Sequence, residues 1–322
     1  MKFVEDSIDY IHQEPGFEGG MKMAELAART CYKSENLIKE GSADKIVNDV
    51  CIKNGHTSVT EFFTVYLVCK IWNIGMIVRY LKDNYSRVRF KGLNVYITTT
   101  YRTIIQGEYE YPADAIKNNY DKDWKADLKY MVDEPTEYHH KRYCYKFVMD
   151  RVGGESVNRH RGIKGGVSRA QESTRYCNYN GKKFGGEILI SLPSKFYDLI
   201  NKWSVENPEV LEMDLDKQLS FLRKNDDGWK SYESALKKSE KEYLKLIGEF
   251  GWRPEDARGV LNLDLKTEFM MCCYLDTWKF FLYRRCDKHA HPHIQKIAKE
   301  LEHDMIERGL IKNNVYVDSK FF

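Results

Sequence analysis

The sequence lacks any stretch approaching the roughly 18 consecutive apolar residues of a membrane-spanning helix, so no membrane partner is expected. It also lacks an excess of either charge. Its 51 Lys and Arg stand against 48 Asp and Glu, a net +3. That balance gives no whole-surface attraction for nucleic acid, so an anionic ligand must be held by a local cluster. Neither a Walker A run nor a GxGxxG run is present, which excludes the familiar phosphate loops. The eight cysteines (Cys31, Cys51, Cys69, Cys144, Cys177, Cys272, Cys273 and Cys286) form no CxxC pair. A chain of 322 residues needs no disulfide staples, so these read as free thiols in a reducing compartment. His289, His291, His293 and Cys286 could offer ligands to zinc. No second cysteine pair completes a tetrahedral set, so no metal is expected. The acidic start, Met1 to Asp6, lacks the apolar segment of a signal peptide, and a cytoplasmic protein is expected.

What is present fits a soluble globular protein with a substantial core: 42% hydrophobic and 31% charged residues. Met21 to Arg29 are good helix formers. Ser42 is placed to cap a second helix with Ile46, Val47, Val50 and Cys51 on its apolar face, ended by Gly55. Thr60 to Cys69, Val95 to Tyr101, Tyr145 to Met149 and Glu187 to Leu192 read as strands. Glycines punctuate the stretch from Gly153 to Gly166. After about residue 195 the pattern turns helical, with an amphipathic run from Ser231 to Phe250. Pro254 suits a first helical turn, and a last helix near Pro292 carries Ile294, Ile297, Leu301 and Met305 on one face. No repeat or interdomain linker appears. The expected class is α+β: a single domain over 1–322 with a central, mostly antiparallel sheet flanked by helices.

Chemistry concentrates in one place. Arg159, His160 and Arg161 are followed by Arg169 and by Gln171-Glu172-Ser173-Thr174-Arg175-Tyr176-Cys177-Asn178-Tyr179, four arginines and a histidine within 17 residues. Guanidinium forks bind phosphate in a bidentate way, and backbone N–H groups beside glycine can approach it closely, so the segment reads as a phosphate or nucleotide site. The competing reading is a solvated Arg-rich loop. Glu61, inside an apolar strand, would be costly without a partner, which marks it as a site candidate. His139-His140 reads as an exposed loop or strand end, and His291 and His293 as a helix start or surface. Tyr176 and Tyr179 could stack on a ring or pack in the core.

These motifs resemble the flavin-dependent thymidylate synthases. Arg159-His160-Arg161 is similar to that family's RHR triplet, and Gln171 to Tyr179 to its QESTRYCNY segment. Ala28 to Ser34 resembles its N-terminal block, Gly55 to Glu61 its GHxSxxE flavin segment, and Arg258 with Arg285 and His289 its C-terminal nucleotide-binding residues. One spacing differs. Eleven residues, Gly162 to Glu172, separate Arg161 from Ser173, where the family usually has seven; Gly162, Gly165 and Gly166 would let a longer loop bulge.

The resemblance implies methylation of dUMP to dTMP, with 5,10-methylenetetrahydrofolate as carbon donor, FAD as redox cofactor and NADPH as reductant. Ser173, Arg175, Arg258 and Arg285 would hold dUMP, with Ser173 and Arg285 nearest the chemistry. His56, Ser58, Glu61, Arg159, His160, Arg161, Gln171 and His289 would line the FAD and folate side. No cysteine would act as nucleophile. The family also implies a homotetramer with shared active sites, and relative to its compact form residues of about 70–143 read as a peripheral insertion extending the sheet. A related flavin enzyme making another C5-modified uracil nucleotide, and an inactive nucleotide-binding homologue, are the alternatives.

Overall fold

A computed structural model describes residues 1–106, 124–160, 162, 165–181 and 187–312. The chain begins with strands β1 (Lys2–Val4) and β2 (Ser7–Ile11), helix α1 (Gly16–Tyr32), and a short helix α2 (Ser42–Asp44) that runs directly into a wide π-helical stretch, Lys45–Ile52. A 3-10 turn, Thr57–Glu61, leads to β3 (Thr64–Lys70). Helix α3 (Ile74–Lys82), strands β4 (Arg87–Lys91) and β5 (Asn94–Thr100) and helix α4 (Tyr101–Gln106) follow. Then come β6 (Arg142–Asp150), α5 (Arg151–Asn158), β7 (Ser168–Gln171) and β8 (Leu189–Ser191). The C-terminal third holds α6 (Ser194–Ser204), α7 (Leu215–Asn225), α8 (Asp227–Gly248), α9 (Pro254–Ala257), β9 (Lys266–Tyr274), α10 (Leu275–Arg285) and α11 (Pro292–Glu307).

The expected α+β class holds. Four antiparallel strands in the order β2-β6-β9-β7 make the main sheet, and β3-β5-β4 make a second antiparallel sheet. A parallel β1–β8 pair makes a third. The long helices at Gly16–Tyr32 and Asp227–Gly248 and the last helix from Pro292 lie where the sequence places them, and Ile294, Ile297, Leu301 and Met305 are buried.

Four expectations need correction. Strand β9 is one of the two interior strands of the main sheet, within sequence read as helical. Its run Lys266–Tyr274 is buried almost throughout and so shows no alternation of polar and apolar residues. Phe269, Met271 and Cys273 join a core under α10 and α11, while Met270 and Cys272 join the core built on α1 and β3. Second, Glu61 ends a 3-10 turn rather than sitting in a strand. Third, Ser42 is the first residue of α2 and caps nothing; its hydroxyl donates to Glu25 Oε1 at 2.8 Å. Fourth, two histidines are buried. His139 lies in the expected loop, but its Nε2 is 3.1 Å from the Leu67 carbonyl and its ring packs edge-on to Tyr66 and Tyr96. His293 is at a helix start as expected, but it is buried between Asp6 and Asp150.

Strands β4 and β5 extend a sheet from β3, and Val95 and Ile97 share the core of α1. The chain passing from β5 through α4 returns to the main sheet at β6.

Candidate functional site

The main sheet fixes the site residues through β7 and β9. Gln171 ends β7 opposite Phe269, and the chain then turns over the sheet edge. The Ser173 N–H donates to the Cys31 carbonyl at the end of α1, at 3.0 Å. Beyond this turn, Arg175 is exposed and its Nε donates to Glu255 Oε2 at 2.6 Å. Arg258 Nη1 donates to Thr174 Oγ1 at 3.1 Å. The Tyr176 ring lies 5.5 Å from that of Tyr32, whose hydroxyl is 2.8 Å from His56 Nδ1. His56, Ser173, Arg175 and Arg258 thus belong to one contact chain. Tyr176 is on the surface of this group, whereas Tyr179 is buried and donates to Glu172 Oε1 at 2.9 Å.

A second group forms where α5 and α10 meet. Arg159, His160, Arg285 and His289 line one cavity of about 630 Å³, together with Arg284, Phe280 and Tyr283. Arg285 Nε donates to His160 Nε2 at 2.8 Å, and its Nη2 donates to the Ser156 carbonyl at 2.9 Å. His160 is buried against Phe281, 4.9 Å between ring centroids. Burial, then the charges of Arg285, Arg169 and Arg284, push its pKa down to about 4, so the ring is neutral at pH 7. Accepting at Nε2 places the proton on Nδ1. Among the described residues that buried atom has no hydrogen-bond partner, a donor that a ligand's acceptor could satisfy.

Gln171 stands between the two groups. Its Oε1 accepts from Asn158, beside Arg159, at 2.9 Å, and its Nε2 donates to Thr267 Oγ1 at 3.2 Å. Arg258 and Arg285, read together from the sequence, fall in different groups. Ser58 is exposed in the 3-10 turn, and Glu61 is buried in an ion pair with Arg102. Arg161 lies outside the described residues. The three loop glycines all have positive φ, between 72° and 76°. At Gly165 and Gly166 an added Cβ would lie 2.8 Å from the Asn84 carbonyl oxygen and from the Tyr274 ring, respectively, so the longer loop is docked where only glycine fits.

Several participants were not visible in the sequence. Arg102 holds Glu61; Arg142, buried, donates to the Glu61 carbonyl at 2.8 Å and to Ser168 Oγ at 2.6 Å. Beneath the Ser173 turn, Lys266 bridges Glu172 at 2.8 Å and Glu268 at 2.9 Å, and Lys33 and Lys146 join Glu268 at 2.6 and 2.7 Å. Burial alone would raise the Glu268 carboxyl, but these three lysines hold it well below its ordinary value. Lys33 sits at φ 48°, a left-handed conformation unusual for a side-chain-bearing residue, at the end of α1. The only available signal was the alternation of Lys266 and Glu268 ahead of an apolar run.

The family model described as thymidylate synthase complementing protein matches residues 99–308, about two-thirds of the chain. The chain belongs to the flavin-dependent thymidylate synthase family. No curated protein matches it. Among solved structures it is similar to thymidylate synthase X (ThyX) from Helicobacter pylori, crystallised with FAD and dUMP. The identity is 14% and the TM-score 0.38, over 97% of this chain and 99% of that one. A likeness at that level carries no residue-level correspondence.

Proposed function

We propose that the protein methylates dUMP to dTMP, with 5,10-methylenetetrahydrofolate as carbon donor, FAD as redox cofactor and NADPH as reductant. Membership of the family supports the general activity. The observation that carries the finer reading is the meeting of Arg159, His160, Arg285 and His289, from segments more than a hundred residues apart, around one cavity. The residues there fit a phosphate-bearing, ring-containing group. They supply guanidinium forks, aromatic walls at Phe280 and Tyr283, and the unpartnered Nδ1–H of His160. Arg159, His160, Arg161, Gln171 and His289, with His56, Ser58 and Glu61, would hold FAD and folate; FAD, when bound, supplies the hydride and one-carbon chemistry.

This chain's own residues bind and orient. Neutral His160 and the Ser156 carbonyl fix two donor directions of Arg285, leaving the rest of its fork for a ligand. Beside a uracil carbonyl, Arg285 would stabilise the negative charge that develops as C5 becomes nucleophilic. Ser173, Arg175 and Arg258 would take the nucleotide phosphate. Arg175 must then exchange Glu255 for that phosphate.

The two groups on one chain suit an active site completed by residues of neighbouring subunits, a homotetramer of single-domain chains. Residues of about 70–143 would supply no catalytic group of their own, with Arg102 acting only through Glu61, and the enzyme would work in the cytoplasm. Incubation with dUMP, 5,10-methylenetetrahydrofolate, FAD and NADPH tests the reading: the product should have the mass of dTMP. A hydroxymethyl product, or none from folded protein, would reject it.

A further inference from the structure

A second cavity, of about 580 Å³, opens where β4 of the small sheet faces the start of α10, and it contains none of the residues discussed above as ligand-binding. Arg87 and Arg89, two apart on β4, project from the same face of that strand. His140 and Lys141, from the loop entering β6, add to the lining, as do Glu137 and Asp276.

Arg87 is the informative residue. Its side chain is 13% exposed, and its guanidinium lies 4.6 Å from the centroid of the Tyr274 ring. Its Nη2 is 3.3 Å from Asp276 Oδ2, yet neither Nη2 nor Nε, both buried, makes a hydrogen bond among the described residues. A buried guanidinium with unfilled donors is costly, and a planar fork held against a ring is pre-organised for a tetrahedral or planar oxyanion. Asp276, half out in solvent, is a loose counterion: its Oδ1 is committed to the Thr277 N–H at 2.7 Å. The first turn of α10 borders the same cavity, and its capping residue, Tyr274, supplies no side-chain hydrogen bond to it.

We propose that this cavity is a second anion site, for a small phosphate monoester, with Arg87 as the bidentate donor, Arg89 and Lys141 as supporting charge, and Asp276 as the counterion that the ligand displaces. The site is independent of the proposed nucleotide reading, because none of its residues belongs to the cavity at Arg285 or to the group of Ser173, Arg175 and Arg258.

Calorimetric titration with inorganic phosphate tests it, in an Arg175→Ala, Arg285→Gln background so that neither of the two groups described above contributes. Arg87→Lys keeps the charge but loses the fork, and should weaken phosphate at least tenfold. Asp276→Asn removes the counterion while an oxygen remains for the Thr277 N–H, and should tighten phosphate several-fold. These opposite signs distinguish a site from a general loss of fold, and Asp276→Asn stands as a test even if Arg87→Lys fails to fold. Phosphate binding unchanged by Asp276→Asn overturns the proposal. So does binding of succinate but not phosphate, which would make the cavity a carboxylate site.

Discussion

At the scale of the residue, the account rests on a histidine that must stay neutral. Between pH 4 and 6.5 the unfolded chain would protonate His160 while the folded one resists. A histidine with a lowered folded pKa contributes stability that is complete above about 6.5 and is lost as pH falls towards about 4. Acidification should therefore release Arg285 before it unfolds the sheet. His160→Leu should lower flavin content and raise KM for dUMP, and His160→Gln, which can still accept from Arg285, should recover part of both. Equal loss in the two variants would show that packing rather than the acceptor matters. Arg175→Ala should weaken dUMP at least tenfold by calorimetry while leaving flavin bound; an unchanged affinity would remove Arg175 from the site. The cysteines bear on mechanism differently. Cys177 is buried, with its Sγ 3.9 Å from the Cys31 carbonyl, and burial pushes the Cys31 thiol up to about 11. Cys31 is therefore no poised thiolate, and single Cys→Ala variants at these two positions should still form dTMP. Abolished turnover in folded, flavin-bound Cys177→Ala would contradict a flavin-driven transfer.

At the scale of the element, the buried His293 ties three pieces together: Asp6 after β1, Asp150 at the cap of α5, and the first turn of α11. Burial would lower its pKa, but hydrogen bonds to Asp150 and Asp6 raise it to about 10. The sign is opposite to that of His160. This stabilisation is complete below about 6.5 and is lost as pH rises towards about 10. His293→Gln should cost about 3–5 kcal/mol near pH 7, as for a broken buried ion pair, and much less near pH 10. A melting-temperature deficit that does not shrink with rising pH would show that the clamp is not ionic. The loop before β7 carries a second element-scale prediction. Val167 is buried, and Gly165 and Gly166 are docked on Asn84 and Tyr274, so deleting Lys164 to Val167 should lower flavin content per subunit. An unchanged or higher content would mean the added length is idle.

The same scale explains what the sequence could and could not disclose. Strands rich in β-branched and aromatic residues and an amphipathic helix are legible, and β3, β5 and α11 lie close to where those signatures fall. Strand β9 is covered on both faces as β3 and β5 are, but its run Met270-Met271-Cys272-Cys273 has no β-branched residue and reads equally well as helix. The burial of His293 and His139 is not legible because the partners that make it tolerable, Asp6 and the Leu67 carbonyl, are remote in sequence.

At the scale of the whole molecule, the motifs identified residues that share a task but not how they are divided in space. His160, Arg285 and His289 converge on one cavity; Arg258, the expected companion of Arg285, sits with Thr174 instead. A spacing along the chain carries no information about which subunit completes a site. The division makes assembly a direct requirement of the proposed function: light scattering should give four chains per particle, and a monomer that binds flavin tightly would refute the shared site. The central claim is that this assembly holds a flavin that NADPH reduces for use on dUMP. The most direct test is the visible absorbance of the purified protein loaded with FAD and mixed anaerobically with NADPH, with and without dUMP. The account predicts a bound-flavin spectrum that bleaches, with a rate that changes when dUMP is present. A folded protein that retains no flavin, or whose flavin bleaches at a rate indifferent to dUMP, would contradict it.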